Sequence, residues 1–492
     1  MLRKIRITLT IVFFALVSLL FLDFTGTIHA WFGWLAKIQF FPAVMALNIG
    51  VVAAVLLLTF LFGRVYCSVV CPLGVFQDVV SWLSARRKGR NRRFSYSKAK
   101  TWLRYAVLGL FVAGAFTGLA GLLDPYSAYG RIAQTMFAPL YTWGNNLLAY
   151  ISARMGSYAF YEREVWLRAL PTLILAAVTF VVVVVLAWRN GRTYCNTICP
   201  VGTFLGLVSR HSLFRPVIDT GKCRNCSLCA RGCKASCIDF KNHEIDYSRC
   251  VACMDCVDNC KHGALHFGLR KKEAAPKTAA EAPEKIPDAS RRSFLTGAGI
   301  ILGTAVADAQ GKTVDGGLAV ILDKKIPNRN TPIVPPGAVG LKHLEDHCTG
   351  CQLCVAVCPN DVLRPGKLMK PRSSYERGYC RPECTKCSEV CPAGAIIKIT
   401  PAEKSSIQVG HAVWVRKNCV PLTDGVECGN CARHCPAGAI TMVPSDPQKE
   451  DSPKIPVVNE ERCIGCGACE NLCPARPFSA IYVEGHEQHK TI

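Results

Sequence analysis

Residues 223–233 read Cys-Arg-Asn-Cys-Ser-Leu-Cys-Ala-Arg-Gly-Cys, and residues 250–260 read Cys-Val-Ala-Cys-Met-Asp-Cys-Val-Asp-Asn-Cys. Both place cysteines at C-x2-C-x2-C-x3-C. A cubane iron–sulfur cluster has four irons, each needing one thiolate. Three cysteines on a tight loop wrap three corners, and the fourth opens a stretch of chain that reaches a neighbouring cluster. On that rule one cluster takes Cys223, Cys226, Cys229 and Cys260, and its partner takes Cys250, Cys253, Cys256 and Cys233. Lys234 and Lys261 stand where a proline commonly follows the fourth cysteine.

Four more groups lie downstream. Cys348, Cys351, Cys354, Cys358 and Cys463, Cys466, Cys469, Cys473 repeat the full spacing. Cys380, Cys384, Cys387, Cys391 has one extra residue in its first gap, and Cys419, Cys428, Cys431, Cys435 has a first gap of eight. Pro359, Pro392, Pro436 and Pro474 follow the last cysteines. One such group alone would fit zinc, but six with a repeated C-x2-C-x3-C core point to iron ligands of six [4Fe–4S] clusters. Such spacings also set aside a disulfide framework.

The six groups use 24 of the 29 cysteines. Cys237 reads as a buried spare. Cys67, Cys71, Cys195 and Cys199 belong to an internal repeat: Gly-Arg-Val-Tyr-Cys-Ser-Val-Val-Cys-Pro-Leu-Gly-Val-Phe (63–76) matches Gly-Arg-Thr-Tyr-Cys-Asn-Thr-Ile-Cys-Pro-Val-Gly-Thr-Phe (191–204). At helical i, i+4 spacing both sulfurs of a C-x3-C-P pair can face one way. Three readings stay open for them: a redox thiol pair, ligands to a shared metal or cluster, and packing thiols.

Half the residues are hydrophobic, and they concentrate before residue 190. Four segments read as membrane helices: Ile5–Leu22, Ala43–Gly63, Leu103–Leu123 and Val165–Trp188. Each is close to the ~20 residues that span a bilayer core. Residues 132–155, with Pro139, Gly144, Asn145 and Asn146, read as an interfacial or re-entrant helix. The net charge of +23 does not call for nucleic acid, because basic residues flank the apolar segments. Arg3, Lys4 and Arg6, the acid-free run Arg86–Arg104, and Arg189, Arg192, Arg210 and Arg215 fall on one side if there are four spans. The positive-inside rule makes that side cytoplasmic.

Residues 271–289, rich in Ala, Pro, Glu and Lys, read as a linker. Ser-Arg-Arg-Ser-Phe-Leu-Thr (290–296) and a short apolar run then match a twin-arginine signal or anchor over 290–311. The expected organisation is a four-helix membrane domain with two C-x3-C-P motifs (1–215), a cytoplasmic two-cluster domain (216–270), and a periplasmic four-cluster domain (312–492). The fold class is an α-helical membrane anchor of four spans plus α+β bacterial ferredoxin-like domains. No C-x-x-C-H motif, interior histidine pair or dinucleotide fingerprint is visible, so neither haem nor flavin is expected.

Residues 1–268 resemble the NapH/MauN family of ferredoxin-type membrane proteins, on the spans, the two C-x3-C-P motifs and the two ferredoxin runs. Residues 290–492 resemble the NapG/MauM family, on the twin-arginine segment, Pro-Pro-Gly-Ala (335–338) and the four cysteine groups. The chain therefore looks like a fusion of two usually separate subunits. The resemblance implies a quinol dehydrogenase module, taking electrons from menaquinol in the membrane quinone pool and delivering them to a periplasmic redox protein or reductase. It also implies that the first downstream group pairs with the fourth and the second with the third, which puts Cys473 on the first cluster and Cys358 on the fourth. Proton acceptors for quinol would come from Asp23, His29 and Asp124 at the outer face, or Asp78 and His211 at the inner. Two other functions fit the sequence: maturation of a partner redox enzyme by reducing metals or thiols, and transfer from a ferredoxin to quinone.

Overall fold

The computed structural model describes residues 2–23, 25–86, 94–270, 313–314, 319–320, 322–449 and 452–492. The expected linker, the twin-arginine segment and most of the basic run after Arg86 lie outside them.

Among the described residues two helices are long and apolar enough to cross a membrane, α1 (Leu2–Leu22) and α6 (Leu170–Asn190). The expectation of four spans is not confirmed. The second apolar segment is divided between Phe40–Met45 and α2 (Ile49–Phe62), with Leu47 between them at φ +52°. The third is divided between α4 (Thr101–Phe116) and Ala120–Leu123, around Gly118 at φ +69°. A left-handed residue cannot continue a right-handed helix, so these two apolar segments are each divided and four spans are not confirmed. Residues 125–154 form a continuous helical run with one π turn at Ala133–Phe137, ending in α5 (Ala138–Arg154). Ile11, Leu57, Leu110, Leu147 and Val178 are all exposed on these helices. Apolar surface on this scale suits lipid rather than water.

The internal repeat appears as two matched turns. Each membrane-side helix, α2 and α6, stops at a glycine with positive φ, Gly63 and Gly191. A short helix then carries the first cysteine, and a proline at the first turn starts the next helix, α3 (Pro72–Ala85) or α7 (Pro200–Ser209). Proline is favoured at that position because its missing N–H would be unpaired anyway.

The two cysteine-rich units contact opposite ends of the same helices. In the first unit, β1 (Phe214–Ile218) pairs antiparallel with β2 (Leu265–Leu269). Arg3 at the start of α1 bonds Asp255 at 2.9 Å, and the N–H of Arg192, just past α6, donates to Lys234 O at 2.7 Å. In the second unit, β3 (Ile407–Trp414) pairs with β6 (Ile481–Thr491), and β4 (Ile440–Pro444) with β5 (Lys454–Val458). Lys386 donates to Thr25 O beyond α1 at 2.9 Å, and Arg168 ahead of α6 donates to Val355 O at 3.0 Å. A helix of 21 residues is about 31 Å long, so the helical layer separates the units by roughly its thickness.

Lys234 explains its departure from proline. Its ammonium lies 2.8 Å from Asp78 and 3.1 Å from Asp255, and Arg192 clasps Asp78 at 2.7 Å through two nitrogens. Cys233 and Cys260 keep the same backbone, φ −81° and ψ 96°, without proline. Asp78, a candidate proton acceptor, is thus the anion that fastens the first unit to the helices. Removing one partner of a buried ion pair strands the others and costs about 3–5 kcal/mol. We expect Asp78→Ala to lower the thermal midpoint of the detergent-solubilised protein and to speed proteolytic release of residues 216–270. An unchanged midpoint and digestion rate would refute this role.

Candidate iron–sulfur sites

The four groups with full spacing share one loop conformation. Asn225 and Ser227, Ala252 and Met254, Gly350 and Gln352, and Gly465 and Gly467 all have φ between +49° and +80°. They are the second and fourth residues after the first cysteine of each group. Four of the eight cannot be explained by turn chemistry alone, because a side chain in this region costs about 1–2 kcal/mol unless the residue is Gly, Asn or Asp. The same count leaves Asn225 and the three glycines as the inexpensive positions, so the strain concentrates at Ser227, Ala252, Met254 and Gln352. The alternation curls the loop around a single centre. The two altered groups lack it: Thr385 has φ −113° and Gly429 −166°.

Each loop leads into a short helix, and these helices pack in pairs: Leu228–Gly232 with Asp255–Asn259, Leu353–Val357 with Lys386–Val390, and Asn430–Arg433 with Ala468–Asn471. Each helix carries its group's last cysteine across to the neighbouring loop. In the first unit one cavity is lined by Cys233, Cys250, Cys253 and Cys256, and another by Cys223, Cys226, Cys229 and Cys260. These are the quartets expected from the sequence.

The second unit corrects the expected pairing. Cys473 lines a cavity with Cys419, Cys428 and Cys431, while Cys435 lines one with Cys463, Cys466 and Cys469. Cys391 lies beside Cys348, Cys351 and Cys354, and Cys358 beside Cys380, Cys384 and Cys387. The first group therefore exchanges its fourth cysteine with the second, and the third with the fourth. Adjacent groups sit on the packed helix pairs, which makes the shorter exchange the one the fold uses.

Backbone N–H groups aim at the thiols, as iron–sulfur ligands require: Gly350 at Cys348 (3.4 Å), Ile396 at Cys391 (3.4 Å), Ala439 at Cys435 (3.3 Å) and Ala480 at Cys473 (3.3 Å). Among the described residues no three His, Cys, Asp or Glu side chains converge closely enough to hold a single ion. A cubane instead spreads its thiolates over four corners, and the donor sets fit that larger group.

Near these quartets one side chain was not singled out in the sequence and another was read too simply. Lys404 is buried, donates to Arg381 O at 2.5 Å and also to Cys384 O, and interacts with Cys380. Cys237 is more than a spare: its sulfur stands 3.5 Å from that of Cys233, in hydrogen-bond range of a cluster ligand. The candidate acid–base groups separate. Asp23 accepts from the backbone of Thr25, Gly26, Ile28 and His29 and faces the His29 ring at 3.1 Å. Burial pushes its carboxyl up, but the bonds from His29 and Thr25 more than offset this and hold it below the usual carboxylate range. Asp124 is buried as the cap of the helix at Pro125–Ile132. His211 is exposed.

The observed pairing makes a sharp expectation. Cys358→Ser combined with Cys380→Ser should remove one cluster, about four irons per chain; the first-with-fourth pairing would remove about eight. Lys404→Met should make the potential of that same cluster more negative in a redox titration followed by EPR, because a nearby positive charge favours the reduced state. A shift to more positive potential would contradict the placement of the ammonium.

Comparison with known proteins finds iron–sulfur domains over the same stretches of chain. Two families described as 4Fe-4S dicluster domains match residues 347–420 and 426–476, and 4Fe-4S binding domains match residues 44–91, 172–218 and 243–266. The chain is 26% identical over 246 residues to the methylamine utilization ferredoxin-type protein MauN of Methylobacillus flagellatus, covering 48% of this chain and 74% of that one. It is 28% identical over 231 residues to the ferredoxin-type protein NapH of Haemophilus influenzae, covering 45% and 68%. The methylamine utilization ferredoxin-type protein MauM of Methylobacillus flagellatus is 31% identical over 152 residues, covering 29% and 64%. No solved structure matches. With several 4Fe-4S domains and these homologues, the chain is an iron–sulfur electron-transfer protein related to the NapH/MauN and MauM ferredoxin-type proteins.

Proposed function

We propose that the chain holds six [4Fe–4S] clusters in its two ferredoxin-like units and passes electrons from menaquinol to a periplasmic redox partner. The observation that carries this reading is a row of quartets leading away from the helices. Cys351 stands at the helical layer, where its carbonyl crowds Gly130. Its quartet exchanges a cysteine with that of Cys380, whose N–H donates to Cys466 O at 2.9 Å. Cys469 in turn interacts with Cys431 of the outermost quartet. An electron entering at the helices has a continuous path to the far rim.

Charge supports one orientation. Arg3 and Arg6, Arg104, Arg192, and Arg215 all meet the first ferredoxin unit or the Asp78 junction beside it. Basic residues collected at one end support a cytoplasmic first unit and, across the helices, a periplasmic second unit.

Quinol oxidation releases protons, and the Asp23–His29 pair is placed to take one. Asp23 holds the His29 ring through Nδ1, while His29 Nε2 is buried without a hydrogen-bond partner. That open nitrogen lies at the end of the layer where the second unit docks. A different direction of flow, exchange with a soluble ferredoxin, is favoured by one feature: Cys226, a ligand of the first unit, is exposed.

Anaerobically purified protein given a menaquinol analogue should show EPR signals of reduced clusters. His29→Ala should lose that response and keep reduction by dithionite. Clusters in the parent protein that never respond to quinol would overturn menaquinol as donor.

A further inference from the structure

We propose that Cys67, Cys71, Cys195 and Cys199 together hold one more [4Fe–4S] cluster, inside the helical layer and between the two ferredoxin-like units. The inference rests on the iron–sulfur reading of the flanking quartets but not on menaquinol as donor.

The two copies of the repeat fold against each other so that each supports its partner's cysteine turn. The Arg64 guanidinium donates to Cys195 O at 3.2 Å, and that of Arg192 donates to Cys67 O at 2.5 Å. The exchange leaves no room for a side chain beside either turn. A Cβ on Gly74 would stand 2.8 Å from Arg192 Nη1, and one on Gly202 would stand 2.6 Å from Arg64 Nη2. All four cysteines are buried and lie within electrostatic reach of one another. Donors already point at the sulfurs: Gln77 Nε2 at Cys195 (3.1 Å), the Gly202 N–H at Cys199 (3.3 Å) and Arg64 Nη2 at Cys67 (3.8 Å).

Charge identifies the occupant. Arg64 is fully buried, and among the described residues no carboxylate pairs with it; its Nε has no partner at all. A buried cation needs compensation. A cubane with four thiolates is a dianion in its oxidised form and supplies it, whereas four neutral thiols or two disulfides do not. A single zinc ion would require sulfurs about 3.8 Å apart, set by the ~2.3 Å zinc–sulfur bond, and no cysteine trio among the described residues is that close.

Helix α1 measures the position. Arg3 meets Asp255 of the first unit, Thr10 donates to Ser68 O between Cys67 and Cys71 at 2.9 Å, and Phe21 packs where Cys351 O meets Gly130. At 1.5 Å per residue those three levels are separated by about 10 and about 16 Å. Asn196, next to Cys195, donates to Ala235 O at 3.1 Å, two residues from the ligand Cys233. The additional cluster would therefore divide the long gap between the units into two shorter steps. Each step is a one-electron exchange in which one cluster is oxidised and the next reduced, with no bond made or broken.

The test counts clusters in the anaerobically purified full chain by native mass spectrometry and by iron and sulfide analysis. The expected content is about 28 irons per chain, four for each of seven clusters. Cys67→Ser combined with Cys195→Ser should lower it by about four and leave the EPR signals of the ferredoxin-like units in place. A parent protein with about 24 irons, whose four thiols react with an alkylating agent or appear as disulfides, would overturn this cluster alone. A double variant that keeps the parent's full iron content would also overturn it. A parent free of iron would overturn the reading of the flanking quartets as well. If the double variant does not fold, the parent's count decides.

Discussion

Every cubane needs four thiolates, and in the two ferredoxin-like units no described loop supplies all four to its own cluster. Three come from one loop and the last from its neighbour. That exchange ties the loops into pairs, sets which short helices pack together, and puts neighbouring clusters side by side. The segment around residues 216–270 buries only a handful of apolar side chains, among them Ile238, Ile245 and Leu265. A unit this small lacks the core to fold on hydrophobic burial alone. The clusters are therefore structural as well as redox groups, and the strained residues at Ser227, Ala252, Met254 and Gln352 persist because ligation over-determines their backbone.

The helical layer works as a spacer with polar fastenings at both ends. At one end Asp78 and Asp255 gather Arg3, Arg6, Arg192 and Lys234. At the other, Arg168 and Lys386 bond main-chain carbonyls across the junction. The buried charges among them, such as Arg192 against Asp78, contribute little net stability but penalise wrong docking heavily. They hold the quartets at fixed separations, which is what electron transfer requires of a scaffold.

The ligand cysteines could be read directly from spacing, because loop ligation is local in sequence. Which loop receives each fourth cysteine is not local. In the first unit only one exchange exists, and the expectation was met; in the second three are open, and resemblance to four-cluster relatives selected the wrong one. The count of four spans is unconfirmed for a different reason. Hydropathy over Ala43–Gly63 and Leu103–Leu123 does not register single left-handed residues such as Leu47 and Gly118 that end a helix. The Gly-Arg and C-P-x-G elements of the repeat were visible, yet nothing in one copy shows that its arginine reaches the other copy's cysteine turn. Likewise Lys234 read as a missing proline until Asp78 was seen opposite it.

The account stands on cubane clusters held by thiolates, and Mössbauer spectroscopy of iron-enriched, anaerobically purified protein examines that most directly. It predicts that nearly all the iron gives the quadrupole doublets of valence-delocalised [4Fe–4S] cores, with sulfide in equal amount. Iron present mainly as isolated ferrous ions, or protein that folds with negligible iron and sulfide, would contradict it.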